Sequence, residues 1–147
     1  MNPSTHGVVT VTDSGNGQYA QQVTVGRHLL SADEPESVGG NDACPSPYEF
    51  LLAGLGACTV ITMRMYAQRH NWNLRHASVE LQHEKIPSAD GKSLIDQFQR
   101  VISLEGELME EQRLRLFQIA EKCPVSETLR RSSVVESSLE DTLTRTT

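Results

Sequence analysis

The chain has 147 residues, enough for one domain of ordinary size with a core of its own. Its composition, 37% hydrophobic and 22% charged, is that of a soluble globular protein. The formal net charge of -6 and the pI near 5.3 speak against a nucleic-acid or anionic-membrane partner, because such surfaces cluster lysine and arginine to neutralise phosphates. The densest basic group, Arg113, Arg115, Arg130 and Arg131, is diluted by Glu110, Glu111, Glu121 and Glu127. The opening residues carry neither the basic nor the apolar run of a secretory signal. The longest stretch without charge, residues 50–63, is shorter than the roughly 20 apolar residues that span a bilayer. A cytoplasmic protein is expected. Three cysteines in a reducing compartment point to thiols with a chemical or packing role rather than to a disulfide scaffold.

Residues 8–12 and 19–25 are rich in β-branched side chains and flank Asp13-Ser14-Gly15-Asn16-Gly17, which predicts a hairpin. A further short strand is expected at 28–30. Residues 31–46 read as a loop holding two prolines, Gly39-Gly40 and the acids Asp33, Glu34, Glu36 and Asp42. Its length exceeds the usual connection, so it is either functional or a solvated surface excursion.

A helix is well announced at 47–69. Ser46 suits the N-cap, Pro47 the first helical position, and Glu49 completes a capping box. Its segment Leu51 to Met63 is apolar or small all round, which predicts a buried central helix. Gly54 and Gly56 each weaken a helix by about 1 kcal/mol relative to alanine, tolerable where something packs closely against them.

Alternation through Ala77, Val79, Leu81 and His83 predicts a half-buried strand over 75–85. Residues 98–104 repeat the pattern, with 86–96 as the connection. A second helix is expected over 107–122, with Leu108, Leu114, Phe117, Ile119 and Ala120 facing inward. Cys123-Pro124 interrupts it, a short helix follows over 125–131, and 133–139 predicts a last strand. Short antiparallel strands around a buried helix give a single domain of the α+β class.

Among residues able to carry chemistry, Cys58 lies deep in the apolar helix, where free cysteine often serves as a small hydrophobe. It is about 12 residues beyond the N-cap, too far for help from the helix dipole. A reactive Cys58 therefore needs a cationic side chain brought to it by the fold. Cys123 precedes Pro124 and is the expected N-cap of the short helix. That position either lowers its pKa or leaves it an indifferent cap. Cys44 has Asp42 nearby, and negative neighbours raise a thiol's pKa, so it reads as incidental. No Cys/His spacing suits a metal site, no G-x-S-x-G elbow is present, and no cofactor is implied.

Pro47-Tyr48-Glu49-Phe50-Leu51-Leu52-Ala53-Gly54-Leu55-Gly56-Ala57-Cys58-Thr59 resembles the signature helix of the OsmC/Ohr family of dithiol peroxidases. About 65 residues later, Cys123-Pro124-Val125-Ser126 resembles its second motif. Ala32-Asp33-Glu34-Pro35 with Gly39-Gly40 is similar to an OsmC-like branch. The resemblance implies an intertwined homodimer in which antiparallel sheets surround buried central helices. It implies that Cys58 is the peroxidatic thiol, attacking an organic hydroperoxide and becoming a sulfenic acid. Cys123 would be the resolving thiol that condenses with it to a disulfide. A dithiol of the lipoyl type, free or on a lipoylated protein, would reduce that disulfide by exchange. Glu49 matches the family's acidic residue, which orients an arginine against the reactive thiol; Arg27 is the arginine available in the N-terminal strand region. The same scaffold also suits a non-peroxidase that binds a small molecule or a lipoyl-type thiol and uses its cysteines for sensing.

Overall fold

A computed structural model describes residues 7–140. Three short strands, β1 (Val9–Asp13), β2 (Gln21–Val25) and β3 (His28–Ala32), form an antiparallel sheet in the order β1-β2-β3. The loop that follows is ordered by one buried carboxylate. Asp33 accepts the backbone N–H groups of Glu34, Asn41 and Ala43 at 2.8 to 3.2 Å, and its own N–H donates to the Pro45 carbonyl. The loop is a surface excursion, with residues 36–39 and 41–43 exposed, but it is held in one shape by these bonds.

Helix α1 spans Pro47–Arg69 and starts as its sequence dictates. The Ser46 hydroxyl accepts the Glu49 N–H, and a Glu49 carboxylate oxygen accepts the Ser46 N–H at 3.1 Å. Such caps contribute about 1 kcal/mol. The helix is not buried all round. One stripe, Leu55, Thr59, Met63 and Ala67, is buried at four-residue spacing, while Leu51, Ile61 and Met65 on the other side are about half exposed. The length and apolarity of α1 match those of a membrane span, and its buried stripe lies against β4, α2 and α3.

Strands β4 (Asn73–Pro87) and β5 (Leu94–Glu107) make a long two-stranded hairpin. The strands run further than their alternation suggests and leave only 88–93 as the connection. Asp90 ties that turn by accepting the Ser88 hydroxyl and the Lys92 N–H. Ala77, Val79, Leu81 and His83 pair with Leu104, Ile102, Arg100 and Phe98, and all eight face α1 half-buried. Gly56 is where helix and strand come closest, since a Cβ there would lie 2.8 Å from Leu81 Cδ1. Gly54 has no neighbour within 4 Å. Near the far end, a bulge at Leu74–His76 opposes Gly106, whose φ of +146° and closeness to the Asn73 carbonyl leave no room for a side chain.

Helix α2 covers Glu110–Glu121 and α3 Pro124–Arg130. The inner side of α2 is Leu116 and Ala120, both fully buried, whereas Leu114 and Phe117 are about half exposed. Of the expected inner face, Ala120 and Leu108 join the core and Ile119 is half-buried, while Leu116 stands in for Leu114 and Phe117, because docking against Met63 and Ala67 of α1 sets the helix rotation. Met63, Ala67, Leu74, Leu116 and Ala120 form the core, and Tyr66, Trp72 and Leu108 are packed against it. Residues 133–139 form no strand; Val134, Val135 and Leu139 are almost fully exposed. Alternating apolar residues make a strand only where a neighbouring edge accepts their backbone.

Candidate active site

Cys123 is fully buried at the junction of α2 and α3, where Pro124 starts the short helix. Its sulfur accepts the Ser126 N–H at 3.4 Å and lies 3.9 Å from the Thr59 hydroxyl and 3.8 Å from Arg100 Nη1. Cys58, half-buried one residue before Thr59, is near enough to this sulfur to act on its pKa. The two thiols, 65 residues apart in sequence, are thus side by side. Burial pushes the Cys123 thiol up, but the Ser126 N–H, the Cys58 side chain and the Arg100 charge oppose and outweigh it. The thiol is held below its ordinary value.

Arg100 is the cation of this site. Its side chain, 8% exposed, enters from β5 and donates to five groups. Nη1 reaches the Thr59 hydroxyl at 2.9 Å, the Ala120 carbonyl at 3.1 Å and the Cys123 sulfur; Nη2 reaches Glu121 Oε1 and the Ser126 hydroxyl, both at 3.2 Å. The other oxygen of Glu121 pairs with Arg130. A planar guanidinium with fixed donors suits such a convergent set better than a lysine would. Thr59 has one hydroxyl proton. It is given to the Leu55 carbonyl at 2.6 Å, which leaves the oxygen free to accept from Arg100.

Beside Arg100 opens a cleft of about 430 Å³. Leu55, Phe98, Ile102, Phe117 and Leu129 give it apolar walls, and Arg100, Glu121 and Arg130 line its polar side.

Glu49 and Arg27 are not brought to these sulfurs. Glu49 is exposed at the first turn of α1, and hydrogen bonds from the Ser46 side chain and backbone hold its carboxyl below the ordinary value. It precedes Cys58 by nine residues on one unbroken helix. At 1.5 Å rise per residue that is roughly 14 Å along the axis, on opposite faces. Arg27 is exposed in the turn between β2 and β3 and hydrogen-bonds to neither cysteine. Cys44 is half-buried in the loop before α1. Among the described residues, no group of three or more His, Cys, Asp or Glu side chains is arranged to hold a metal ion.

The OsmC-like protein family matches residues 39–138, which include both cysteines and Arg100. The chain belongs to that family.

Solved structures share its fold at low identity. The organic hydroperoxide resistance protein OsmC of Legionella pneumophila is 20% identical, with a TM-score of 0.63 over 84% of this chain and 90% of its own. The OsmC-like protein of Mycoplasma pneumoniae is 16% identical, with a TM-score of 0.67 over 84% and 86%. The organic hydroperoxide resistance protein OhrB of Bacillus subtilis is 21% identical, with a TM-score of 0.59 over 84% and 91%. No curated protein matches the chain. The OsmC/Ohr fold is therefore that of this chain, an α+β domain with antiparallel sheets.

Arg100 is the residue of this cluster that motif reading passed over. A signal for it does exist in the sequence. Phe98, Arg100, Ile102 and Leu104 occupy one face of an alternating strand. An arginine on a face otherwise apolar must find partners for its charge and its donors.

Proposed function

We propose that this protein is a thiol peroxidase that reduces organic hydroperoxides through Cys58 and Cys123. The observation that carries the reading is the juxtaposition of the two thiols, one half-buried and one fully buried, with a guanidinium against the second. That the similar folds include organic hydroperoxide resistance proteins supports the substrate class. The Cys58 thiolate attacks the peroxide, forming an S–O bond as the O–O bond breaks and the alcohol leaves with a proton. Cys123 then attacks the sulfenic sulfur, and the hydroxyl leaves as water when the S–S bond forms. A dithiol of the lipoyl type, on a small molecule or a lipoylated protein, returns both thiols. A cytoplasmic location, where thiols are kept reduced, belongs to the same reading.

Glu49 and Arg27 enter this reading only with a second copy of the chain. One helix cannot let Glu49 and Cys58 share an arginine, so the catalytic unit is a homodimer in which Glu49 of one chain orients an arginine, Arg27, at the Cys58 of the other. The half-exposed apolar side of α1, on which Cys58 lies, is the face such a partner would cover. The rival reading is a non-peroxidase that binds a small molecule or a lipoyl-type thiol. It draws on Cys58 having, among the described residues, only Thr62 at 4.0 Å and Cys123 as polar neighbours.

Steady-state turnover with cumene hydroperoxide and dihydrolipoamide separates the two. Turnover is expected, and peptide mapping after one equivalent of hydroperoxide should find Cys58 joined to Cys123 with Cys44 free. In Cys123→Ser, oxidised Cys58 should persist as a sulfenic acid that dimedone traps. A main product containing Cys44, or an absence of turnover in a protein whose thiols are reduced, overturns the assignment.

A further inference from the structure

Reducing a protein disulfide requires a choice between two sulfurs. The incoming thiolate attacks one of them, and the other leaves with the electron pair. Exchange runs faster when the leaving thiolate is the more stable one and the attacked sulfur the more accessible. In this protein both criteria select the same direction. Cys58 is half-buried, whereas Cys123 is fully buried. The donors able to stabilise a sulfur anion converge on Cys123: the Ser126 N–H at 3.4 Å and Arg100 Nη1 at 3.8 Å. Around Cys58 the described residues offer one hydroxyl, that of Thr62 at 4.0 Å, besides Cys123 itself.

Arg100 is also placed so that it can serve a charge that comes and goes. Its buried guanidinium never lacks an anion, because Glu121 Oε1 accepts from Nη2 at 3.2 Å whether or not Cys123 is charged. Glu121 is in turn held by Arg130 through its other oxygen. Without that carboxylate, oxidation of Cys123 would leave a buried cation unpaired, which is strongly destabilising.

We propose that Arg100 makes Cys123 the leaving group when a dithiol reduces the Cys58–Cys123 disulfide, so that the mixed disulfide with the reductant forms on Cys58. The proposal rests on the dithiol reading above for the identity of the two thiols. The reductant thiolate attacks Cys58 Sγ. A new S–S bond forms there, the Cys58–Cys123 bond breaks, and its electron pair leaves on Cys123 Sγ beside Arg100. The second thiol of the reductant, having given up its proton, then attacks the reductant's own sulfur in the mixed disulfide. The reductant departs as a disulfide, Cys58 leaves as a thiolate and takes up a proton, and two electrons have passed to the protein. Attack on Cys123 instead would have to reach a sulfur that is fully buried within its own chain.

The experiment needs no peroxide. Diamide makes the disulfide, so a chain without peroxidase activity still reports on Arg100, and failure of this inference is separable from failure of the functional reading. In Cys44→Ser/Cys58→Ser, thiolate absorbance at 240 nm should give Cys123 a titration midpoint below the ordinary value of about 8.5. In diamide-treated Cys44→Ser, a limiting monothiol such as glutathione should be found by peptide mapping on Cys58. Arg100→Met, in each background, should raise the Cys123 midpoint by about one unit and slow dithiothreitol reduction several-fold, on the order of three to ten. Arg100→Lys should fall between the two. A midpoint at or above the ordinary value, or glutathione mapped to Cys123, overturns the proposal. Both measurements use the native Arg100, so the outcome stands even if the arginine variants fail to fold. Folded arginine variants that titrate and reduce like the parent would overturn it equally.

Discussion

The two faces of α1 differ in how completely one chain finishes them. On the inner face, Leu55, Thr59, Met63 and Ala67 are buried against β4, α2 and α3, and every donor of the Arg100 cluster that is bonded finds its acceptor within the protomer. On the outer face, Leu51, Ile61 and Met65 are about half exposed, and Gly54 meets nothing within 4 Å. The β1–β3 sheet is similarly open, with Val9, Val11 and Leu29 each more than half exposed. Cys58 lies at the border between the two faces, within reach of Cys123 yet four residues beyond Gly54 on the same helical side. The contrast teaches that the resolving half of the proposed chemistry is built inside one chain. The activating half is not.

The largest effect expected from breaking that division is the recovery of activity from two dead proteins. Cys58→Ser removes the attacking thiol, and Glu49→Gln removes the charge proposed to orient the arginine, so each homodimer should be inactive. Unfolded and refolded together, they form heterodimers in which one site is intact and the other doubly damaged. Activity should return to up to half the wild-type value per heterodimer, measured by hydroperoxide turnover. A mixture that folds and dimerises but stays inactive would mean that the sites are not shared and that Glu49 acts only as the helix cap seen at Ser46.

Inside the protomer the expected effect is on stability. Leu116 is fully buried between α2 and the α1 stripe, so Leu116→Ala should cost about 2–5 kcal/mol in transfer and cavity terms, read from denaturant unfolding. Leu114→Ala on the neighbouring, half-exposed position should cost less than 1 kcal/mol, within the range of ordinary surface changes. If Leu114 proved the more costly of the two, the inner face of α2 would be the one read from apolar density alone.

That misreading of α2 marks where the sequence stops being legible. The start of α1 could be read residue by residue, because capping is local chemistry: Ser46, Pro47 and Glu49 do in the fold what their types imply. The N-cap role of Cys123 was readable for the same reason. The hairpin strands followed from alternation, although their ends ran further than the alternation did. Rotation of α2 and the open side of α1 depend on which element docks where, and no local pattern encodes that. A strand expected at 133–139 failed because pairing needs an edge, a non-local condition. For the site, the two cysteines came from motif resemblance, and their proximity depends on α1, α2 and α3 meeting. Arg100 was visible only as an oddity of alternation, a charge on an inward position whose partners lie 20 to 41 residues away in sequence.

The smallest expected effect gives the sharpest view of the outer face. Alanine in place of a mid-helix glycine stabilises a solvent-exposed helix by about 1 kcal/mol. At Gly56 the gain is lost to contact, since the new Cβ would lie 2.8 Å from Leu81 Cδ1, the end of a side chain that must turn away. At Gly54 nothing within the protomer opposes it. A bare outer face therefore makes Gly54→Ala a stabilising change. If a second copy packs its backbone or side chains closely over this side of α1, the added methyl group meets that copy instead. We expect the second result: Gly54→Ala should weaken the dimer and lower its unfolding midpoint at dilute concentration, despite the better helix propensity. Unfolding followed as a function of protein concentration, with sedimentation velocity on the same samples, reads both quantities. A variant about 1 kcal/mol more stable at every concentration would show that this face is open to water, and the glycine would then have no role in packing.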